Sequence, residues 1–468
     1  MNASPKVILV PVTSNFFARN FLRTEALSIL KGQREVRLVF LVPKTQLDHY
    51  RSTYPFDNVE FDVLPEIVRT AASEIFFTFL ERSSIHSYRV KADAKVTFFR
   101  GSRRVSKLQY LKRAPVYVYK RFLYALGSLG KPWRGLVRRI YGAYPRNFFN
   151  DIFQKHSPSL VFCPTMVWSE EYCLLREAKR RGVPSVGMVF SWDTFFSKTF
   201  LRLHPDTLVV QTDMIKSQAE KLGDFTGEIR VTGVLQYDLH FTKKDFLPRA
   251  DFLKKLGGDP SKKIILYALS GKAGLEADMA ALVALAEAVQ KGEITTPVQI
   301  LVRPYPRYDF KEKTIHNMKE KYGVLVEAST TAIGDGSGWE MDERSIEFLE
   351  NSLYHSDVVV SMYSTFFIEG AIFGKPLVAA AFDYPTERPY FDSAKRFFEL
   401  WDHLHILKSY RGIALGTTRE LFLKEINTAL RGEDSYKTGR EEIVMAQCQF
   451  KDGRSAERLA TVIVNAVE

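Results

Sequence analysis

The chain has 468 residues, 46% of them apolar and 26% charged, which is typical of a soluble globular protein and leaves room for two domains. Its three cysteines show neither metal-ligand spacing nor the even number of a disulfide framework, which predicts a protein of the reducing cytoplasm. No apolar run is long enough to cross a bilayer, so any membrane contact is expected to be peripheral.

Short β-branched runs alternate with helical patterns through the first 245 residues. The predicted strands are 6–12, 36–42, 159–162, 184–190, 208–211 and 229–232. Helices are predicted around 21–30 and over 170–181. This alternation is the α/β pattern of a mostly parallel sheet.

Residues 85–150 interrupt this domain with a strongly basic insertion. It contains sixteen Lys or Arg and a single acid, Asp93, giving +15, whereas the whole chain carries +12. Within it, an apolar stripe recurs at helical spacing, with Arg134, Arg138 and Arg139 predicted on the other side. The stripe consists of Trp133, Leu136, Val137, Ile140, Tyr141 and Tyr144.

Three interpretations of the insertion stay open. A basic helix with aromatic residues suits an anionic membrane surface. Alternatively, the stripe packs on its own domain and leaves a solvated basic face. Nucleic-acid binding is the third, although no recognised binding motif accompanies the charge.

A polar stretch over 243–260 predicts a domain boundary, so the first domain is 1–245 and the second is 246–435. The second domain has predicted strands 264–268, 298–302, 325–327, 358–361, 377–382 and 413–415. A C-terminal segment, 436–468, carries a helical apolar stripe suited to docking on the domains. The predicted fold class is α/β, with two Rossmann-like, doubly wound domains.

The most informative stretch is 357–389. A buried strand leads into the hydroxyl residues Ser361, Ser364 and Thr365, and a helix is predicted to start at Phe366, capped by Ser364 or Thr365. Glu369 lies one turn inside this helix. A strand-to-helix corner of this kind binds anionic ligands, and the carboxylate suits a ribose diol, so the pattern predicts a nucleotide site. The alternative is that Glu369 is a surface acid.

Four stretches resemble, in order and spacing, the UDP-GlcNAc 2-epimerases and the CDP-glycerol glycerophosphotransferases. They are 231–238 (V-T-G-x-x-x-x-D), 361–369, 386–389 (T-E-R-P, as in the epimerases) and 450–458 (ending D-G-x-x-x-E-R). The chain thus resembles the GT-B superfamily, which implies two Rossmann-like domains facing across a cleft.

That resemblance implies a nucleotide-diphosphate donor bound mainly by the second domain. Glu369 would hold the ribose, and Ser361, Ser364 and Thr365 would contact the diphosphate. Glu387 and Arg388 of the T-E-R-P element join the predicted donor site. Ser270, Gly271 and Lys272 form a second candidate phosphate turn, or an ordinary connection.

Arg303 stands where relatives often carry a His-Pro pair. A guanidinium can clamp phosphate but cannot exchange a proton near neutral pH, so Arg303 is predicted to bind. The alternative is a purely structural pair with an acid such as Asp309. Glu170 and Asp193 follow predicted strands of the first domain and are the candidate catalytic bases, or else helix caps. Lys198 could balance diphosphate charge.

Two absences bear on mechanism. The first glutamate of the E-x7-E pattern of many retaining GT-B enzymes is replaced by Ser361, and there is no D-x-D pair. We therefore expect a metal-independent, inverting reaction without a cofactor.

The predicted function is a nucleotide-sugar-dependent glycosyltransferase of surface-polysaccharide or glycolipid synthesis. Alternatives are a glycerol-phosphate transferase using CDP-glycerol, a 2-epimerase-like isomerase and a non-catalytic binding protein. The expected partners are the donor, a glycan or lipid-linked acceptor and, through 85–150, an anionic membrane at the inner face.

Overall fold

The computed structural model describes residues 5–101, 106–144, 147–271, 274–305, 312–326, 331–333 and 338–468. Two α/β domains face each other, each with a parallel sheet between helices. None of the described helices combines the length and the apolar composition needed to cross a bilayer.

The first domain is built on a seven-stranded parallel sheet in the order β3-β2-β1-β4-β5-β6-β7. Its strands are β1 (Lys6–Pro11), β2 (Val36–Val42), β3 (Val59–Val63), β4 (Leu160–Cys163), β5 (Ser185–Met188), β6 (Thr207–Val210) and β7 (Glu228–Val231). Central strands such as β4 are buried on both faces, which explains their continuous apolar sequence. The strand order reverses between β1 and β4, and ligands of such sheets bind at this kind of switch point.

Ten helices cover this sheet and form the insertion. They are α1 (Glu25–Lys31), α2 (Leu47–Thr53), α3 (Ala71–Ser84), α4 (Tyr88–Phe99), α5 (Lys107–Gly127), α6 (Lys131–Ala143), α7 (Asn150–His156), α8 (Ser169–Arg181), α9 (Asp213–Lys221) and α10 (Asp238–Thr242). Hydroxyl side chains cap several of them; Ser106, for example, accepts from the Gln109 N–H at the start of α5. Short π-helical turns at Ala18–Leu22 and Thr194–Lys198, and 3₁₀ turns at Lys44–Gln46 and Leu235–Tyr237, complete the domain.

The second domain repeats the arrangement with a six-stranded parallel sheet in the order β10-β9-β8-β13-β14-β15. Its strands are β8 (Lys263–Ala268), β9 (Val298–Arg303), β10 (Leu325–Val326), β13 (Val358–Ser361), β14 (Leu377–Ala380) and β15 (Ala414–Gly416), with a separate hairpin of β11 (Thr331–Ile333) and β12 (Gly338–Glu340). Its helices are α11 (Arg249–Leu256), α12 (Leu275–Gln290), α13 (Glu312–Tyr322), α14 (Glu343–His355), α15 (Phe366–Ile372), α16 (Arg396–Leu400), α17 (Asp402–Ser409) and α18 (Arg419–Leu430).

The predicted α/β fold with two doubly wound domains is confirmed. Every predicted strand is present, with ends that differ by up to two residues. Strand β3, at the edge of the first sheet, was missed. It reads Val59-Glu-Phe-Asp-Val63 and is only partly buried, so it lacks the apolar run that marks the central strands.

Two of the four family-like stretches form a joint between the domains. The C-terminal helices α19 (Lys437–Cys448) and α20 (Ser455–Val467) follow the second domain, yet α20 packs on α1 of the first. Asp238 accepts the N–H groups of Ser455 and Ala456, at 3.0 and 2.8 Å, and so caps α20. A Cβ at Gly233 would lie 2.3 Å from Ser455 Oγ, so only glycine fits there. Residues of these two stretches therefore hold the C-terminal helix α20 against the first domain.

Two of the three arginines of α6, Arg134 and Arg138, turn inward against prediction, whereas Arg139 is exposed as predicted. Arg134 is buried and donates twice to Asp224, through Nε at 2.8 Å and Nη2 at 2.6 Å. Arg138 adds a third bond to the same carboxylate, Nη1 to Oδ2 at 2.9 Å. Because Leu136 is 48% exposed, the apolar stripe predicted for α6 is not one continuous buried face. The ion pairs with the buried Asp224 carboxylate, rather than the helical spacing of apolar residues, set the orientation of α6.

An exposed apolar stripe of the insertion lies instead on α5. Its large apolar side chains recur at intervals of three, seven and four residues along one exposed face. They are Leu108, Leu111, Val118 and Phe122, each at least 52% exposed. We call this set the α5 stripe.

Candidate active site

An open cleft of about 370 Å³ lies between the two domains, at the carboxyl ends of both sheets. The first domain lines it with the turn after β1 and the segment after β5. The second lines it with the residues that follow β8, β9 and β13 and with the start of α17. This is the position in which open α/β sheets bind ligands, and its size is ordinary for a small-molecule site.

Glu369 lies in this cleft, 3% exposed, so it is not a surface acid. Its Oε1 accepts a hydrogen bond from Arg19 Nη2 of the first domain at 2.9 Å. Its Oε2 has no hydrogen-bond partner among the described residues and lies 4.0 Å from His240 Nε2. Burial alone would raise the pKa of Glu369, but Arg19, His240 and Arg303 hold that pKa below its usual value. The wall of the cleft therefore holds an ionised carboxylate, one oxygen of which is buried without a hydrogen bond from any described residue.

The hydroxyl residues before Glu369 divide into two groups. Ser364 and Thr365 line the cleft, and the Ser364 Oγ accepts the Phe366 N–H at 3.1 Å, so Ser364 is the cap of α15. Ser361, in contrast, is fully buried and donates to the Ala268 carbonyl at 2.8 Å. The hydroxyl of this last residue of β13 is thus engaged inside the fold and does not line the cleft, which argues against its predicted diphosphate contact.

The predicted turn at 270–272 is only partly in the cleft. Ser270 is 1% exposed, and its N–H donates to the buried Asp278 at 2.6 Å while its Oγ accepts from Tyr363 N, so the structure contradicts its phosphate role. Gly271 lines the cleft, and Lys272 falls outside the described residues. Arg303, at the end of β9, also lines the cleft and is buried; Asp309 lies outside the described residues.

Glu387 and Arg388 lie away from the cleft, which corrects their assignment to the donor site. Both border a separate groove between α12 and the C-terminal end of α4. Glu387 pairs with Lys395 and Arg388 with Glu276, each at 3.2 Å. Because the segment after β14 turns outward, the T-E-R-P element ends on this outer surface.

Asp193 lines the cleft on the side of the first domain, as predicted. Ser191 and Lys198 each donate to its Oδ1 at 2.6 Å, and Ser197 donates to Oδ2 at 3.0 Å. Burial would raise the pKa of Asp193, but Lys198 and His403 hold it far below its usual range. Asp193 is therefore always ionised and a weak proton acceptor.

Glu170 does not line the cleft; it borders a smaller depression beside Thr13 and Gln46. This placement argues against a catalytic role. Its neighbour Glu171 is fully buried and closes the loop after β4 by accepting from the N–H groups of Thr165 and Val167, at 2.9 and 3.0 Å. The carboxylate of Glu171 therefore has a structural role in this loop.

Three basic residues that line the cleft, Arg19, Arg89 and His403, were missed by sequence reasoning. His403 is buried, packs edge-on against Trp192 with ring centres 4.8 Å apart, and its Nδ1 has no hydrogen-bond partner among the described residues. Burial is the main reason why the pKa of His403 falls to about 4, so the imidazole is neutral at pH 7. No local signal marks these residues, since each reaches the cleft from an element distant in the chain.

Comparison with known proteins supports this architecture. The family model described as CDP-Glycerol:Poly(glycerophosphate) glycerophosphotransferase matches residues 204–465, more than half of the chain. A search of curated proteins found no match.

Among solved structures, the S. aureus MnaA-UDP co-structure is similar at 12% identity and a TM-score of 0.53, over 98% of this chain and 97% of that one. The UDP-GlcNAc 2-epimerase from Methanocaldococcus jannaschii is similar at 10% identity and a TM-score of 0.52, over 98% and 99%. At these identities the likeness shows the fold. The chain belongs to the CDP-glycerol:poly(glycerophosphate) glycerophosphotransferase family and is a transferase of the GT-B fold.

Proposed function

We propose that the protein transfers a group from a nucleotide-diphosphate donor to a hydroxyl of a surface-polymer or lipid-linked acceptor, with a sugar as the first candidate group. The observation that carries this proposal is the buried, ionised Glu369 in the interdomain cleft, with one oxygen unsatisfied. A ribose diol supplies the two O–H donors that such a carboxylate binds. Ser364, Thr365 and Arg303 line the same cleft and are suited to the diphosphate.

The nucleotide site is tested by calorimetry with UDP and CDP. We expect Glu369→Gln to weaken binding of the preferred nucleotide about 10- to 100-fold, because hydrogen bonds to a charged group are lost. The matched control is Glu387→Gln, the same change in the outer groove, which should bind like the wild type. Equal affinities of both variants, or no nucleotide binding by the wild type, would refute the proposal.

A second candidate donor is CDP-glycerol, which the family match favours. Sugar transfer releases a nucleoside diphosphate, whereas glycerol-phosphate transfer from CDP-glycerol releases CMP. Incubation with UDP-sugars or CDP-glycerol and identification of the released nucleotide separates the two. Conversion of UDP-GlcNAc without any acceptor would instead indicate an isomerase.

We further propose a metal-independent, inverting displacement in which the proton of the acceptor hydroxyl passes to His403 or Asp193. His403 is neutral at pH 7, no described residue bonds to its Nδ1, and its pKa is higher than that of Asp193, whose carboxylate is already engaged. Loss of turnover with retained nucleotide affinity in His403→Gln supports His403 as the base, and the same result in Asp193→Asn alone would favour Asp193. A product that keeps the donor's anomeric configuration would contradict inversion.

We also propose that the insertion docks on an anionic membrane through the α5 stripe. This helix exposes Leu108 and Leu111 beside Lys107 and Lys112, which is the composition of an interfacial helix. Each nearby cation adds about 1 kcal/mol on an anionic surface. Co-sedimentation should be strong with vesicles of phosphatidylglycerol and weak with phosphatidylcholine; binding that is independent of lipid charge would refute the docking.

A further inference from the structure

Arg89 is a cation of the insertion that reaches the cleft. It belongs to the first turn of α4, and its guanidinium carbon lies 4.0 Å from the centre of the Trp401 ring. Within the described part of the chain, its side chain makes no hydrogen bond and no ion pair. A guanidinium has five N–H donors, and here one face is covered by an indole while the donors remain available.

Contacts with both domains hold Arg89 in place. Asp402 of the second domain accepts the N–H groups of Tyr88 and Arg89, at 3.0 and 2.8 Å. Ser87 donates to the Phe196 carbonyl of the first domain at 2.7 Å. The start of α4 is thus a fixed part of the cleft wall, and Arg89 does not need a large movement to meet a ligand.

Two other cations of the cleft, Arg19 and Lys198, differ from Arg89 in their partners. Arg19 donates to Glu369 and Lys198 to Asp193, so each is neutralised by a carboxylate. The carboxylate nearest to Arg89 along α17, that of Asp402, is occupied by backbone N–H groups. Asp193 and Asp402 attract Arg89 only at longer range, and burial outweighs that attraction, because the pKa of Arg89 is lowered. A half-buried guanidinium that no described carboxylate contacts invites an anionic ligand, because burial of an incompletely compensated charge is costly.

We propose that Arg89, stacked on Trp401, binds a phosphate group of the substrate, so that the insertion completes the cleft as a phosphate subsite. The planar fork of arginine matches two phosphate oxygens, and its flat face stays on the indole. The phosphate comes either from the donor diphosphate or from a phosphorylated acceptor; the chemistry of recognition is the same. This inference rests on the proposed function in taking the cleft as the substrate site.

The test compares Arg89→Gln, Arg89→Lys and Lys95→Gln by calorimetry at constant ionic strength. Lys95 is exposed on the same helix, so Lys95→Gln removes one positive charge without touching the cleft. The probes are CDP, UDP and sn-glycerol 3-phosphate, with cytidine and uridine as phosphate-free controls. We expect Arg89→Gln to weaken at least one phosphate probe tenfold or more, Arg89→Lys less, and Lys95→Gln less than twofold.

The affected probe identifies the source: a loss confined to CDP or UDP indicates the donor, and a loss for glycerol 3-phosphate indicates the acceptor. Binding of all phosphate probes by Arg89→Gln within twofold of the wild type, or no binding of any by the wild type, overturns the inference. Arg89-dependent binding of glycerol 3-phosphate without binding of either nucleotide would sustain this inference and refute the proposed donor.

Discussion

The corner around α15 and the basic insertion use charge in different ways. At the corner, the Arg19–Glu369 and His240–Glu350 contacts, 2.9 and 2.6 Å long, join oppositely charged or polar groups deep in the protein. In the insertion, Arg134 and Arg138 pair with Asp224, whereas Arg89 lines the cleft without an ion pair to any described carboxylate. The number of charged residues in a region therefore says little about their function. The role of each charged side chain depends on the group that neutralises it.

The largest effect is expected from breaking the corner. Glu369→Gln leaves the buried Arg19 without its carboxylate and should lower the free energy of unfolding by about 3–5 kcal/mol. The exposed pair Arg431–Glu433 supplies the control, and Glu433→Gln should leave the free energy of unfolding nearly unchanged, because solvent screens this pair. Denaturant titration measures both. Similar small costs would mean that burial does not distinguish the pairs.

The buried part of the insertion should respond next. Asp224→Asn keeps a residue that tolerates its φ of 51° but removes the charge shared by Arg134 and Arg138. We expect a loss of about 3 kcal/mol and faster hydrogen exchange in α6, since two buried guanidinium groups lose their counter-ion. Asp452→Asn, in the more exposed pair with Arg458, is the control. Unchanged exchange in α6 would show that Asp224 does not anchor it.

The dependence of the free energy of unfolding on acid pH tests the assignment of His403 as a buried, neutral histidine of the cleft. The pKa of His403 is lowered from 6.5 to about 4, so the unfolded chain takes up this proton first. The contribution of the neutral His403 to the free energy of unfolding is complete above pH 6.5. It is lost as the pH falls towards 4, by at most about 3 kcal/mol. His403→Gln should flatten stability over this range, whereas His405→Gln, at an exposed position of the same helix, should not. Parallel curves for wild type and His403→Gln would contradict the assignment.

The smallest effect on stability is expected at the α5 stripe. Leu111, 71% exposed, should be replaceable by Ser with a change within about 0.5 kcal/mol. Leu111→Ser combined with Val118→Ser should nevertheless weaken binding to anionic vesicles about tenfold or more, because two apolar contacts with lipid are lost. Met445→Ser, also at an exposed position but outside the insertion, is the control. Unaltered vesicle binding would exclude the α5 stripe as the docking face.

Sequence reasoning succeeded where the signal is local. Continuous apolar runs identified the central strands, and the order of hydroxyls, helix and acid placed Ser364, Thr365 and Glu369 in the cleft. It failed for Ser361 and Ser270, whose hydroxyls turn inward, and for Glu170, Glu387 and Arg388, which follow strand ends but leave the cleft. Proximity to a strand end does not specify the direction that the next few residues take.

The sequence by itself determined the two parallel sheets and the corner at Glu369, because these depend on residues within one turn or one strand of each other. Only the tertiary structure decided which charged side chains meet in the cleft. Arg19 is 350 residues from Glu369, and Arg89 is 313 from Asp402. Such contacts depend on how the domains and the insertion meet in space, which no periodicity along the chain encodes.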